Sequence, residues 1–223
     1  NIIISRCNAD YYIKNSKPSL ETLVTRYYDI FPNSSKYTGY TANVTIGDFY
    51  NRILCDTCQC TAILGGTNSN NNSGNTKNDS NAISEESSIS GKRETENIGL
   101  AIFNGDKLVG ELNAIETLCH LINTNDVSTF ILSVPNPNDE TQMLDISMSH
   151  KRKDKISVDT SSGTPYISLD IKLTGKILTV SSNSNYIDED NLKSISNYTN
   201  SYLESNISNY LYRTSKEFKS DID

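Results

Sequence analysis

From residue 65 to residue 97 the chain reads GGTNSNNNSGNTKNDSNAISEESSISGKRETEN, with no aromatic residue and almost no aliphatic one. A stretch so poor in apolar groups cannot offset the entropy lost on ordering, so it is expected to be a mobile linker or insertion. Whatever cores the chain builds must then lie on either side of it. A chain of 223 residues accommodates one large domain or two small ones, and the composition break favours two. The expected division is an α+β middle domain over 1–66, a low-complexity segment over 67–96 and a C-terminal α+β domain over 97–223. The chain opens directly in NIIIS, with no initiator Met, charged leader or cleavage site, and so reads as a piece of a longer precursor.

Local patterns fill in the two parts. Ile2-Ile3-Ile4-Ser5 suits a short buried strand. In KPSLETLVTRYYDIF, Ser19 is a candidate N-cap, Leu20, Leu23, Val24, Tyr27 and Phe31 recur at helical spacing, and Pro32 is expected to end the helix. A second helix is expected from about Thr45, with Asp48 near its positive end and Ile46, Phe49, Tyr50, Ile53 and Leu54 as its apolar stripe. TAILGG reads as one more strand.

Beyond the polar segment, Ile98, Leu100 and Ile102 alternate with Gly99, Ala101 and Phe103, Asn104-Gly105-Asp106 supplies a turn, and Leu108-Val109 returns. Asn113 then caps a helix on which Ile115, Leu118, Leu121 and Ile122 share a face. Further strands are expected at TFILSV, MLDISMS, KISVD and YISLDIKLTGKILTV, with Gly175 breaking the register of the last. From Asp188 on, acidic residues lead and basic residues close a long helix of about 45 Å, striped by Leu192, Ile195, Tyr198, Tyr202, Leu203, Ile207, Leu211 and Phe218. The fold class is therefore α+β with two domains. The C-terminal one is an antiparallel sheet packed with a short helix and a long C-terminal helix.

Charge and side-chain chemistry narrow the function. Twenty Lys and Arg stand against 27 Asp and Glu, for a net charge of −7, which argues against a nucleic-acid partner. The one basic run, His150-Lys151-Arg152-Lys153, is expected at a hairpin tip as a solvated turn. No apolar run approaches the length of about 18 residues that spans a bilayer. Cys55, Cys58 and Cys60 in CDTCQC are the candidate metal ligands, but Cys7, Cys119, His120 and His150, which could complete a set of four, are all distant in sequence. Free thiols at a helix end are the plainer reading, since five cysteines cannot all pair and the spacing disfavours a Cys58–Cys60 bridge. Cys119 and His120 point about 100° apart on a helix and make no nucleophile–base pair. Glu111 and Glu116 suggest paired acids, although a first-turn carboxylate explains Glu116 more simply. Gly99, Gly105 and Gly110 fit a hairpin better than a phosphate loop. No catalytic residue and no cofactor site are expected.

The segment IGLAIFNGDKLVGELNAIET resembles a signature of the C subunits of spore nutrient-germinant receptors, through Gly99, Leu100, Ala101, Phe103, Asp106, Lys107, Leu108, Val109, Gly110, Leu112 and Glu116. VTIGDFYNRI is similar to the helix that precedes the family's linker. KEFKSDI, with Asp221, is similar to the end of its long last helix. The resemblance implies a noncatalytic lipoprotein subunit, truncated here at both ends and needed for spore germination. It implies a lipid anchor upstream of this chain on the outer face of the inner spore membrane, and membrane-embedded A and B subunits as partners. An envelope-associated enzyme and a cysteine-based metal-binding module are the alternatives.

Overall fold

The computed structural model describes residues 1–17, 23–55, 57–67, 81–84, 95–152, 154–180 and 188–222. The expected N-cap Ser19, Leu20 and most of the Asn/Ser-rich segment lie outside them. Strands β1 (Ile3–Ser5), β2 (Thr61–Thr67), β3 (Thr95–Asn104) and β4 (Lys107–Leu112) form one sheet in that order, with β1 parallel to β2 and the other pairs antiparallel. The strands flanking the Asn/Ser-rich segment are direct neighbours, from Thr61 opposite Ile102 to Thr67 opposite Thr95.

Strand β3 is apolar at both parities, and the structure uses both. Leu100 and Ile102, with Leu112 of β4, join the main core, whereas Ala101 and Phe103 pack with Cys60, Ala62 and Leu64 in a second one. Alternation of side chains across a strand thus places β3 between two cores.

Four helices precede β2: α1 (Ala9–Asn15), α2 (Val24–Ile30), the one-turn α3 (Ser35–Thr38) and α4 (Ile46–Ile53). Pro32 does not end the helical path. It lies in the first turn of a 3-10 helix over Phe31–Ser34, where its missing N–H is not needed, and the path ends instead at Gly39, whose φ is 72°. A Cβ on Gly39 would lie 2.4 Å from the Leu118 side chain, so this glycine also lets the chain lie close to Leu118, far ahead in sequence.

Helix α4 begins as expected, in a capping box where Thr45 accepts from the Asp48 N–H and Asp48 accepts from the Thr45 N–H. Hydrogen bonds donated by the Thr45 hydroxyl and by the Thr45 N–H hold the Asp48 carboxyl below its usual range. Its apolar stripe is not a core face. Phe49 alone packs inward, against Phe103, while Ile46, Tyr50, Ile53 and Leu54 are exposed.

Helix α5 (Ala114–Asn123) follows β4 through a second capping box, between Asn113 and Glu116. An amphipathic helix was expected, yet residues 114–122 are buried all round. The reason is its position between the β3–β4 hairpin and the long helix α6 (Glu189–Tyr212). One of its polar groups is paired across the helices: His120 Nδ1 lies 2.9 Å from the Tyr210 hydroxyl of α6, and both residues are buried, whereas the buried Thr117 hydroxyl has no hydrogen-bond partner among the described residues.

The C-terminal part matches the expected antiparallel sheet with a short and a long helix. Strands β5 (Thr129–Asn136), β6 (Asp139–His150) and β9 (Leu173–Val180) form a three-stranded antiparallel sheet. Between β6 and β9, strands β7 (Lys155–Asp159) and β8 (Tyr166–Asp170) form a separate two-stranded arm. The long run from Tyr166 breaks at Ile171-Lys172 rather than at Gly175, which lies inside β9 opposite Met148. His150-Lys151-Arg152 is at the base of this arm, not at its tip: Lys151 N–H donates to the Lys172 carbonyl (2.8 Å) and Arg152 pairs with Asp170. The turn is made at residues 160–165, with Gly163 at φ 79°. Lys153 lies outside the described residues. Cross-strand pairs Ile156–Leu169 and Val158–Ile167 share one face of the arm.

Replacing Tyr210 by Phe removes the interhelical hydrogen bond without changing the ring. The expected outcome is a loss of about 1 kcal/mol of stability, read as a lower urea midpoint at unchanged slope.

Candidate functional site

Three segments far apart in sequence meet at the turn end of the β3–β4 hairpin: α4, the hairpin itself and the C-terminal residues 213–222. Helix α6 ends in a π-helical turn, Arg213–Phe218, and Lys219 then adopts a left-handed conformation with φ 52°. That reversal turns the chain back along β3. Ser220 donates its hydroxyl to the Phe103 carbonyl (2.5 Å), the Asn104 side-chain amide donates to the Lys219 carbonyl (2.8 Å), and Ile222 is fully buried.

Gly110 explains why the reversal can close so tightly. A Cβ at this position would lie 2.4 Å from the Phe218 ring, so only glycine lets the ring lie on the β4 backbone. The Arg213 guanidinium covers Phe218 at 4.9 Å from the ring centroid. Gly99 has a second backbone reason: at φ 98° its N–H reaches the Tyr40 carbonyl (2.9 Å), and a Cβ would lie 2.3 Å from the Leu112 carbonyl oxygen.

From the other side, α4 and the segment after it clasp the same reversal. Arg52 donates to the carbonyls of Gln59 (3.1 Å) and Ile222 (3.3 Å). The Gln59 N–H donates to the Asp221 carbonyl (3.0 Å), and its side-chain oxygen accepts from the Gly105 N–H (2.7 Å). Asp221 thus contributes its backbone, while its side chain faces solvent.

Beside the hairpin lies a shallow cleft lined by Arg6, Gly110, Glu111, Glu116, Arg213 and Phe218, among others. The two glutamates are not a paired-acid site. Glu111 is bridged by Arg6 (3.3 Å), and Glu116, already engaged in the α5 capping box, is bridged by Arg213. Burial alone would lower the Arg213 pKa, but the Glu116 and Glu217 carboxylates outweigh it and hold the guanidinium above its ordinary value. Each carboxylate thus faces its own arginine rather than the other carboxylate. What remains for the surface are Asp106, Lys107, Leu108 and Val109, all exposed at the turn.

The cysteines are arranged differently from the expected free thiols. Cys55 and Cys58 form a disulfide with Cα atoms 5.4 Å apart, closing the loop after α4. Cys60 faces inward, its thiol 3.4 Å from the Phe49 carbonyl. Cys119 is buried, which pushes its thiol pKa up to about 12. Among the described residues no group of three or more His, Cys, Asp or Glu side chains converges to hold a metal ion. His150 lies instead beside Asp154 (3.4 Å) at the base of the arm.

Of the motif positions, Gly110 and Glu116 line the cleft, while Phe103 packs against Phe49 and Gly99 lies against the Leu112 carbonyl. Arg6, Gln59 and Arg213 were missed. Arg213 carried a faint signal, standing three residues before KEFKSDI, and the Cys-X-X-Cys spacing was the signal for the bridge.

Two measurements test this geometry. Gly110→Ala should displace the Phe218 ring, destabilise the protein by about 1–3 kcal/mol and speed proteolytic removal of the C-terminal residues. Alkylation of the native protein at pH 8 should label Cys7 alone without reductant, add Cys55 and Cys58 after reduction, and reach Cys60 and Cys119 only on unfolding.

Comparison with known proteins bears on the same residues. No curated protein sequence matches the chain. The crystal structure of the GerBC protein is similar in fold, with a TM-score of 0.61 and 15% identity over 97% of this chain and 54% of that one. This chain therefore spans about half the length of that neighbour. The family described as spore germination B3/GerAC like, C-terminal, matches residues 98–222. The hairpin, the capped α5 and the C-terminal clasp all fall inside that match, which takes in more than half of the sequence, and the chain belongs to the spore germination B3/GerAC-like family.

Proposed function

We propose that this chain is a noncatalytic subunit of a nutrient-germinant receptor, acting through contacts between folded surfaces. The observation that carries the reading is the convergence of α4, the β3–β4 hairpin and the residues 216–222 in one clasp. The family-like positions are spent on holding this shape: Gly99 and Gly110 on backbone approach, Phe103 on packing, Glu116 on a cap and an ion pair. A site built for chemistry would instead leave a nucleophile, an acid or a base unpaired at the surface.

The clasp presents its apolar groups outward. Leu108 and Val109 at the hairpin, and Ile46, Tyr50, Ile53 and Leu54 on α4, are exposed, the kind of surface that a partner protein covers. The partners in this reading are the membrane-embedded A and B subunits. Among the described residues no helix is long and apolar enough to cross a membrane. In this reading the attachment is a lipid-modified cysteine upstream of this chain, on the outer face of the inner spore membrane. In this reading residues 97–223 are the C-terminal domain, 1–66 the preceding middle domain, and 67–96 a linker or insertion between them.

Spores lacking the full-length gene are expected to lose nutrient-triggered release of dipicolinic acid while keeping the response to a nutrient-independent trigger. Wild-type protein should restore it. A Leu108→Glu/Val109→Glu double variant should accumulate as a folded protein yet restore less than a tenth of the response. An unchanged nutrient response in the deletion strain, with redundant receptors removed, would overturn the receptor reading.

A further inference from the structure

A groove of about 650 Å³ runs between α6 and the β6–β9 side of the three-stranded sheet. Its inner walls are aliphatic, with Ile146 and Ile177 on the sheet and Ile195 and Leu203 on the helix, while Ser196, Asn200, Glu204 and Ser208 of α6 line its exposed side. Between these the helix sets one buried polar group. Thr199 is 4% exposed, lines the groove, and its hydroxyl has no hydrogen-bond partner.

A buried hydroxyl without a partner is a standing cost that an incoming polar atom relieves. The volume is that of a small-molecule cleft, in the range of roughly 300–1,000 Å³. A docked helix is about 10–12 Å across with its side chains, so the same space would take only about one turn of it. Among the described residues Glu204 is the only charged one in the lining, with no Lys, Arg or His beside it. An anionic head group would therefore meet repulsion and no counter-charge.

We propose that this groove binds a small amphiphile, a medium-length aliphatic chain carrying one non-anionic hydrogen-bonding head that pairs with the Thr199 hydroxyl. The site is separate from the hairpin clasp and does not rest on the receptor reading. The aliphatic body lies along the isoleucine walls, and the head sits against α6, with Glu204 favouring an amine over a carboxylate.

The test is titration of isotope-labelled protein with 1-octanol, octylamine and octanoate, following the methyl resonances of Ile146, Ile177, Ile195 and Leu203. Saturable shifts at these methyls are expected with the alcohol and the amine, and octanoate should bind at least tenfold more weakly. Thr199→Val, which keeps the shape and removes the hydroxyl, should weaken octanol binding about three- to tenfold. Thr199→Ser should retain it. Absence of saturable shifts with all three probes would overturn the proposal. So would octanoate binding as tightly as octanol, or equal affinities for the Val and Ser variants.

Discussion

Strand β3 has no solvent-facing side, and most of the architecture answers to that constraint. Leu100 and Ile102 must be covered by something on one face, Ala101 and Phe103 by something on the other. Helix α5 meets the first demand and Phe49 of α4 the second, so two elements far apart in sequence are fixed relative to each other by a single strand. Because side chains alternate strictly along a strand, a slip of one residue would exchange the two cores. The bulge between Ile102 and Phe103 of this strand pair then sets where Gly110 falls, and with it where Phe218 can dock.

The same constraint accounts for two of the polar groups inside. A helix pressed between the hairpin and α6 has no wet face, so any polar side chain on it needs a protein partner. Glu116 and His120, one turn apart on α5, find theirs in Arg213 and Tyr210, also about one turn apart on the C-terminal helix. These two bridges align the helices along their length, and the alignment delivers Phe218 to Gly110. The ion pair and the capping box share Glu116, so start of α5 and end of α6 are set together.

Local signals were readable from sequence wherever one element suffices to produce them. The capping residues Thr45 and Asn113, the Asn104-Gly105-Asp106 turn and the alternation of β3 are encoded within a few residues. The errors arose where a distant partner decides. Pro32 was expected to end a helix, yet Gly39 ends it against Leu118 of α5. The stripe of α4 gave the right period and the wrong burial, because periodicity says which residues share a face and not what covers it. Likewise Arg6 and Arg213 carry no local mark of Glu111 and Glu116, which lie about a hundred residues away in sequence.

The glycines of the hairpin show how a signature can be specific without being chemical. Gly99 and Gly110 are each required by a backbone approach, one to the Leu112 carbonyl and one to the Phe218 ring, and neither touches a reactive group. Such positions constrain a surface indirectly. They fix the height and tilt of the turn at 104–109, and hence the direction in which Leu108 and Val109 project. A recognition surface needs that direction held more than it needs any one side-chain identity, since a partner reads the relief of an apolar patch through shape complementarity. The clasp at residues 213–222 is therefore part of the surface even where it is buried: without Ser220, Asn104 and Arg52 locking the reversal, the hairpin would lose the support that orients it.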